Sequence, residues 1–321
     1  MALSFNSVKF LFWAKNLGVD FNRTATLGRL GLACTPGMFR QAARDFGLPA
    51  SDQEIDRCYQ KGPCEGLFAD NFYQFLGAKK AVSIDYSDYE GANLVHDLNV
   101  PFPEELRGSF DVVLDGGTLE HIFNFPAALR NCLELVSVGG HFITTGIPAD
   151  SLMGHGFYQF SPELFFRVFN AENGFVLRKI VLYKENRKDA SFYEVRDPSK
   201  VRKRVQLTST EPVAIAVLAQ RTAALPILAR APQQSDYAAI WNAPKTPLDR
   251  STWFRRLRIT LNPYWPLWLR YWKDHMIDLW RRGPSGFDNK ESYRKLDRME
   301  IARERASGQT TPSAQPLMGR S

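Results

Sequence analysis

Four apolar runs of the chain each finish on small or acidic residues. TATLG (24–28) runs into Gly28, and AVSID (81–85) ends on Asp85. ANLVHDLN (92–99) carries Asp97 with Leu98 beside it, and DVVLDGG (111–117) ends on Asp115, Gly116 and Gly117. In an open parallel sheet, ligands sit beyond the carboxyl ends of the strands. A carboxylate at Asp85 can accept hydrogen bonds from both hydroxyls of a ribose. One at Asp97 can accept from the amine of an adenine, and glycines let a ligand approach the backbone closely. Each residue also has a plainer use. Asp85 can form a turn, Asp97 an Asx-type turn before Asn99, and Asp115 a cap on a helix or turn.

A second group follows in sequence. Glu120-His121 lies just after the DGG run, and Gly154-His155-Gly156 and Tyr158 lie in a later loop. A histidine beside a bound ligand can take a proton from an acceptor's oxygen or nitrogen, which makes His121 and His155 the candidate catalytic bases. The alternatives are a packing or helix-start role for His121, a helix N-terminus for Glu120, and simple loop structure for His155 and Tyr158. His96 and His141 read as structural.

The elements that position these residues alternate between strands and helices. PAALRNCLELV (126–136) has Leu129, Cys132, Leu133 and Val136 on one helical face, with Gly139 and Gly140 as its stop. HFITTG (141–146), VLRKIVLYK (176–184) and VAIAVLAQ (213–220) read as strands. SPELFFRVF (161–169) reads as a helix with Ser161 as N-cap and Pro162 at its first position. Near-continuous apolar strands in this order predict a parallel sheet covered on both faces. Upstream, GMFRQAARDFG and DQEIDRCYQ read as helices inserted after the first strand, and 70–80 as the helix feeding Asp85's strand.

The chain has 321 residues and 44% apolar composition, enough for a sizeable core. The expected organisation is an N-terminal amphipathic helix (1–23), an α/β domain (24–222, with the helical insertion at about 33–67), a linker (223–249), a helical extension (250–306) and a disordered tail (307–321). The net charge of +7 is uneven. Residues 1–249 hold 26 basic and 27 acidic side chains, whereas 250–306 hold 14 and 7. Five of seven tryptophans lie between 253 and 280. Trp265, Trp268, Trp272, Met276, Leu279 and Trp280 share a helical face, which can dock on the domain or on a second subunit, or make peripheral contact with an anionic membrane through residues 253–282. No nucleic-acid partner is expected, because the domain itself is not basic. No apolar run reaches membrane-spanning length, and no signal peptide is read at the start, so a cytoplasmic location is expected, with the inner membrane face as its peripheral variant. The four cysteines fit no zinc spacing, and no metal site is expected in the chain. They read as free thiols, with a Cys58–Cys64 disulfide as the alternative.

FDVVLDGGTLEHIFNFPAALRNCLELVSVGGHFITTG (110–146) resembles the second half of the class I S-adenosylmethionine-dependent methyltransferases, and its Leu119-Glu120-His121 resembles the small-molecule, type 11-like branch. SIDYSDYEGANLVHDLN (83–99) is similar to that family's second and third strands. The likeness covers roughly residues 68–184. GHGFYQFSPELFF (154–166) further resembles methyltransferase-like proteins found among bacterial surface-polysaccharide genes. The resemblance implies a Rossmann-like, doubly wound α/β fold with a mostly parallel seven-stranded sheet and an antiparallel edge strand. It implies S-adenosyl-L-methionine as cofactor, held by Gly28, Asp85, Asp97, Leu98, Asp115, Gly116 and Gly117, and a small-molecule or glycan acceptor. The family's first motif, an acid followed by G-x-G-x-G, is replaced by Thr26-Leu27-Gly28-Arg29-Leu30-Gly31. That departure keeps a non-catalytic, membrane-associated scaffold as the alternative. A nicotinamide enzyme is the weaker third, since G-x-G-x-x-G follows no strand.

Overall fold

A computed structural model describes residues 1–60, 67–201, 204–242 and 286–304, together with 266, 268–269, 271–272 and 275–276. Cys64, Trp265, Leu279 and Trp280 lie outside the described residues. The chain begins with strand β1 (Ala2–Leu3) and helix α1 (Phe5–Asn16), then β2 (Arg23–Leu27) and β3 (Gly31–Leu32). Helices α2 (Pro36–Asp45), α3 (Asp52–Cys58) and α4 (Asp70–Phe75) precede β4 (Lys80–Asp85), β5 (Leu94–Val95) and β6 (Phe110–Asp115). After α5 (Phe125–Leu135) come β7 (Val136–Asp150), α6 (Pro162–Val168), β8 (Phe175–Lys184), β9 (Tyr193–Val195), α7 (Pro198–Val201), β10 (Val213–Arg221) and α8 (Ser235–Asn242). Strand β11 (Tyr293–Lys295) and helix α9 (Arg298–Arg303) complete the described part.

The main sheet runs β11-β9-β8-β10-β7-β6-β2-β4-β5. Strands β5, β4, β2, β6 and β7 pair in parallel, while β10 is antiparallel to both β7 and β8. The fold is therefore α/β with a mixed sheet and a parallel core. One expectation is corrected: among the described residues the sheet has nine strands where seven were expected. An antiparallel edge strand is present, β11 against β9, and β10 is a further antiparallel strand in the interior. The reason lies in its sequence: Val213, Ile215, Val217 and Ala219 pack into one core, and Ala214, Ala216 and Leu218 into the other. A strand apolar on both faces must be covered on both faces. The same alternation places Val112 and Leu114 of β6 opposite Val113.

Helix α1 differs from the amphipathic reading. Every residue from Phe5 to Ala14 is buried, because the helix is wedged among α2, β7, β10 and α9. Phe12 sits edge-on to Phe39 and Phe72. Lys9 is carried into this setting and is held by Asp189 at 2.7 Å. Gly139 and Gly140 do not stop α5. The helix ends at Leu135, and the chain enters β7 directly at Val136. Within 250–306, read as helical, Tyr293–Lys295 instead pairs with β9, and Phe287 stacks on Tyr193 at 4.0 Å between ring centres.

His141 lies in β7 opposite Val112. Burial, and then the charge of Arg178, push its imidazole down to about 4. The unfolded chain therefore takes up this proton near pH 6.5 and the folded chain only near 4, so the contribution is intact above pH 6.5 and lost as pH falls towards 4. His141→Gln is expected to remove ~1–3 kcal/mol of acid sensitivity in that window. Urea midpoints measured at pH 7 and pH 4.5 check this. Equal pH dependence in both proteins would contradict it.

Candidate functional site

The carboxyl ends of β2, β4 and β6 lie side by side, with Leu27 paired to both Ile84 and Asp115. The chain leaves β2 through Gly28 at φ +75, a left-handed conformation that side chains with a Cβ resist. A methyl group placed on Gly28 would lie 2.9 Å from Met1 Cε, 3.4 Å from Thr118 Oγ1 and 3.7 Å from Asp85 Oδ2. Gly28 and Asp85 thus converge, as their strand ends predicted. Asp85 uses Oδ1 to accept from the Tyr86 N–H at 2.7 Å and turns Oδ2 towards Gly28.

The other sequence-chosen residues are placed differently. Asp115 is fully buried, and its Oδ1 accepts from the N–H groups of Gly117, Thr118 and Leu119 while Oδ2 accepts from the Thr144 hydroxyl. These bonds shape the turn that presents Gly117, at φ +105, and Thr118, whose hydroxyl donates to Leu27 O at 2.7 Å. Asp97 lies two residues past β5 and accepts from both the backbone and side-chain N–H of Asn99. Those bonds hold its carboxyl below the usual range. Leu98 is buried, and its carbonyl accepts from Asn131 Nδ2. Gly116 is covered by the side chain of Leu30.

Two residues of this cleft were not among those chosen from the sequence, Met1 and Leu30. Gly31 N–H donates to Met1 O, and β1 pairs with β3, which fixes Met1 over the floor. There its sulfur lies 3.6 Å from Thr118 Oγ1 and 3.9 Å from where a Gly117 methyl would be. Leu30 was visible only as a missing glycine in the first motif. Thr26, at the position of that motif's acid, is buried and donates to Gly28 O. Arg29 turns away from the cleft: its guanidinium pairs with Asp70 at 2.8 Å and covers the Phe68 ring.

Beyond Gly117 stand Glu120, His121 and His155. Glu120 is fully buried, yet neither carboxylate oxygen has a hydrogen-bond partner among the described residues. Burial, and then the charge of Asp115, push it up to about 8. Asp115 is also pushed up by burial, but its four accepted hydrogen bonds oppose this. His155 Nε2 lies 3.7 Å from Glu120 Oε1, and the two imidazoles face each other at 5.6 Å between ring centres. His121 is lowered by burial and then by His155. The loop carrying His155 is tied down by Phe157 N–H to Glu120 O at 2.8 Å and by the Tyr158 hydroxyl to Phe123 O at 2.6 Å. Phe123 and Phe157 expose their rings beside it. His96, by contrast, stacks on Phe102 outside this group.

No family model matches the sequence, and no curated protein is similar to it. Solved structures of S-adenosylmethionine-dependent methyltransferases do match the chain, at low identity. One from Mesorhizobium loti is 14% identical, covers 65% of this chain and 95% of its own, and has a TM-score of 0.32. The Burkholderia thailandensis 1,6-didemethyltoxoflavin-N1-methyltransferase, solved with S-adenosylhomocysteine, is 11% identical over 68% and 78%, with a TM-score of 0.35. A branched-chain polyamine synthase from Thermus thermophilus, bound to 5'-methylthioadenosine, is 14% identical over 72% and 60%, with a TM-score of 0.33.

Proposed function

We propose that this chain transfers the methyl group of S-adenosylmethionine to a small-molecule or sugar-containing acceptor, in cell-surface polysaccharide chemistry or a related pathway. The observation that carries this reading is the meeting of Gly28, Asp85 and Gly117 at adjacent parallel strand ends, with Glu120, His121 and His155 at the far side of Gly117. The bound cofactor supplies an electrophilic methyl, so the protein's task is to align the partners and exclude water. Asp85 Oδ2 accepts from the ribose hydroxyls, and Gly28 and Gly117 let the cofactor reach the backbone. The acceptor lies on the wall of Phe123, Phe157 and the 151–158 loop, where flat apolar rings suit a sugar or heterocycle. Its proton is handled at the histidine cluster, with His121 and His155 as the candidate bases.

Met1 must move for this ligand to enter. A chain lacking Met1 is expected to bind S-adenosylmethionine ~3–10-fold more tightly, since no side chain has to be displaced. Equilibrium dialysis compares the two. Weaker binding without Met1 would show that its side chain is part of the site.

A second reading draws on the same contacts. Leu30 over Gly116 and Met1 over Gly28 fill space that glycines leave open in the family pattern, and this favours a non-catalytic scaffold. The exposed Trp268, Trp272 and Met276 favour a peripheral membrane contact for that scaffold or for the enzyme. Among the described residues no helix is long and apolar enough to cross a membrane. Transfer of labelled methyl from S-adenosylmethionine into a small-molecule or glycan pool separates the readings. Label transfer that disappears in Asp85→Ala supports the enzyme, and cofactor binding without any transfer supports the scaffold.

A further inference from the structure

A fully buried carboxylate with two unpartnered oxygens is costly, because desolvation is not repaid by a hydrogen bond. Glu120 is such a group, and His155 Nε2 lies 3.7 Å from its Oε1, with His121 beside His155. One ligand atom from each of Glu120, His121 and His155 can be chosen so that all three lie within 4.8 Å of one another. Metal–ligand bonds of about 2.0–2.2 Å in tetrahedral geometry bring such atoms to about 3.4 Å apart, so closing the set asks for a shift of about 1.4 Å at most, and the two histidines are exposed. Both histidines face solvent, which gives an ion an entry path. The backbone of Glu120 is tied to the loop by Phe157 N–H, which donates to the Glu120 backbone carbonyl, and Gly117 and Gly156 lack the methyl groups that would crowd the residue.

We infer that Glu120, His121 and His155 form a binding site for a divalent transition-metal ion of the zinc class at the acceptor end of the cleft. Two imidazoles and one carboxylate are the donor set such ions prefer, and three protein ligands leave a fourth position open. The sequence concealed the site because 34 residues separate His121 from His155.

The use of the ion rests on the methyltransfer reading, but its binding does not. An acceptor hydroxyl bound at the open position would ionise there and release its proton to solvent. The oxygen would then form its bond to the methyl carbon as the carbon–sulfur bond breaks, leaving S-adenosylhomocysteine. In the loaded state the imidazoles are ligands, and neither serves as the base.

The test uses the full chain, stripped with chelator and titrated with Co2+, read by visible absorption, with Zn2+ as competitor. One equivalent of Co2+ with the intense visible bands of a four-coordinate site is expected, displaced by Zn2+. Glu120→Gln, which keeps shape and removes charge, and His155→Ala are each expected to weaken Zn2+ binding at least ~30-fold. His96→Ala, outside the cluster, should leave it unchanged. Failure of the wild-type chain to bind stoichiometrically, or equal affinity in Glu120→Gln and wild type, would overturn the inference. Titration with S-adenosylmethionine on the same samples keeps the two readings apart. Metal binding without cofactor binding sinks the methyltransfer reading alone, and cofactor binding without metal binding sinks this inference alone.

Discussion

Asp85→Ala is expected to weaken S-adenosylmethionine binding by ~30–150-fold, the ~2–3 kcal/mol carried by hydrogen bonds to a charged acceptor. The carboxylate stands at the end of β4 with Oδ2 turned towards Gly28, and its one hydrogen bond within the protein is to its neighbour's N–H. Little of the fold depends on it, so the melting temperature should change by no more than a few degrees. Asp85→Asn should fall between the two proteins, because an amide offers one acceptor where the carboxylate offers two. Calorimetry on all three proteins checks the order. Wild-type affinity in Asp85→Ala would remove Asp85 from the site, and with it the link between β4 and the ligand.

The second large effect is expected at Gly28. A valine there must adopt φ near +75, which costs about 1–2 kcal/mol for a residue with a Cβ. Its methyl groups would also enter the space bounded by Thr118 Oγ1 and Asp85 Oδ2. Cofactor binding should fall by at least ~100-fold, because a ligand held by Asp85 and a branched side chain cannot share that volume. Gly28→Ala separates the two causes: it carries most of the backbone strain and little of the bulk. If alanine and valine lower stability alike and neither changes affinity, the cleft over Gly28 is not where the ligand lies.

The parallel core was legible because strands buried on both faces leave continuous apolar runs, as in DVVLD of β6 and AVSID of β4. The convergence of Gly28 and Asp85 followed from strand ends alone. The rest depended on distances that no local pattern encodes. Whether β10 is interior is decided by which strands pair with its two edges, here β7 and β8. Helix α1 looked amphipathic because Lys15 breaks its apolar run, yet Lys9 within the run is buried and held by Asp189, 180 residues away. Asp115 was chosen as a ligand contact, and the structure gives its oxygens to the turn that displays Gly117 and Thr118. Met1 reaches the cleft only through the pairing of β1 with β3. Glu120 was weighed as a helix-terminus acid, and its isolation beside His155 is a product of the loop that returns at Phe157.

The central claim is that the cleft over Gly28 and beside Asp85 binds the methyl donor despite Leu30 and Met1. Calorimetric titration of the intact, folded chain with S-adenosylmethionine and, separately, with S-adenosylhomocysteine tests it most directly. Micromolar binding of both ligands, lost in Asp85→Ala, is the predicted result. No heat of binding with either ligand, in protein that melts cooperatively, would contradict the account and leave the scaffold reading in its place.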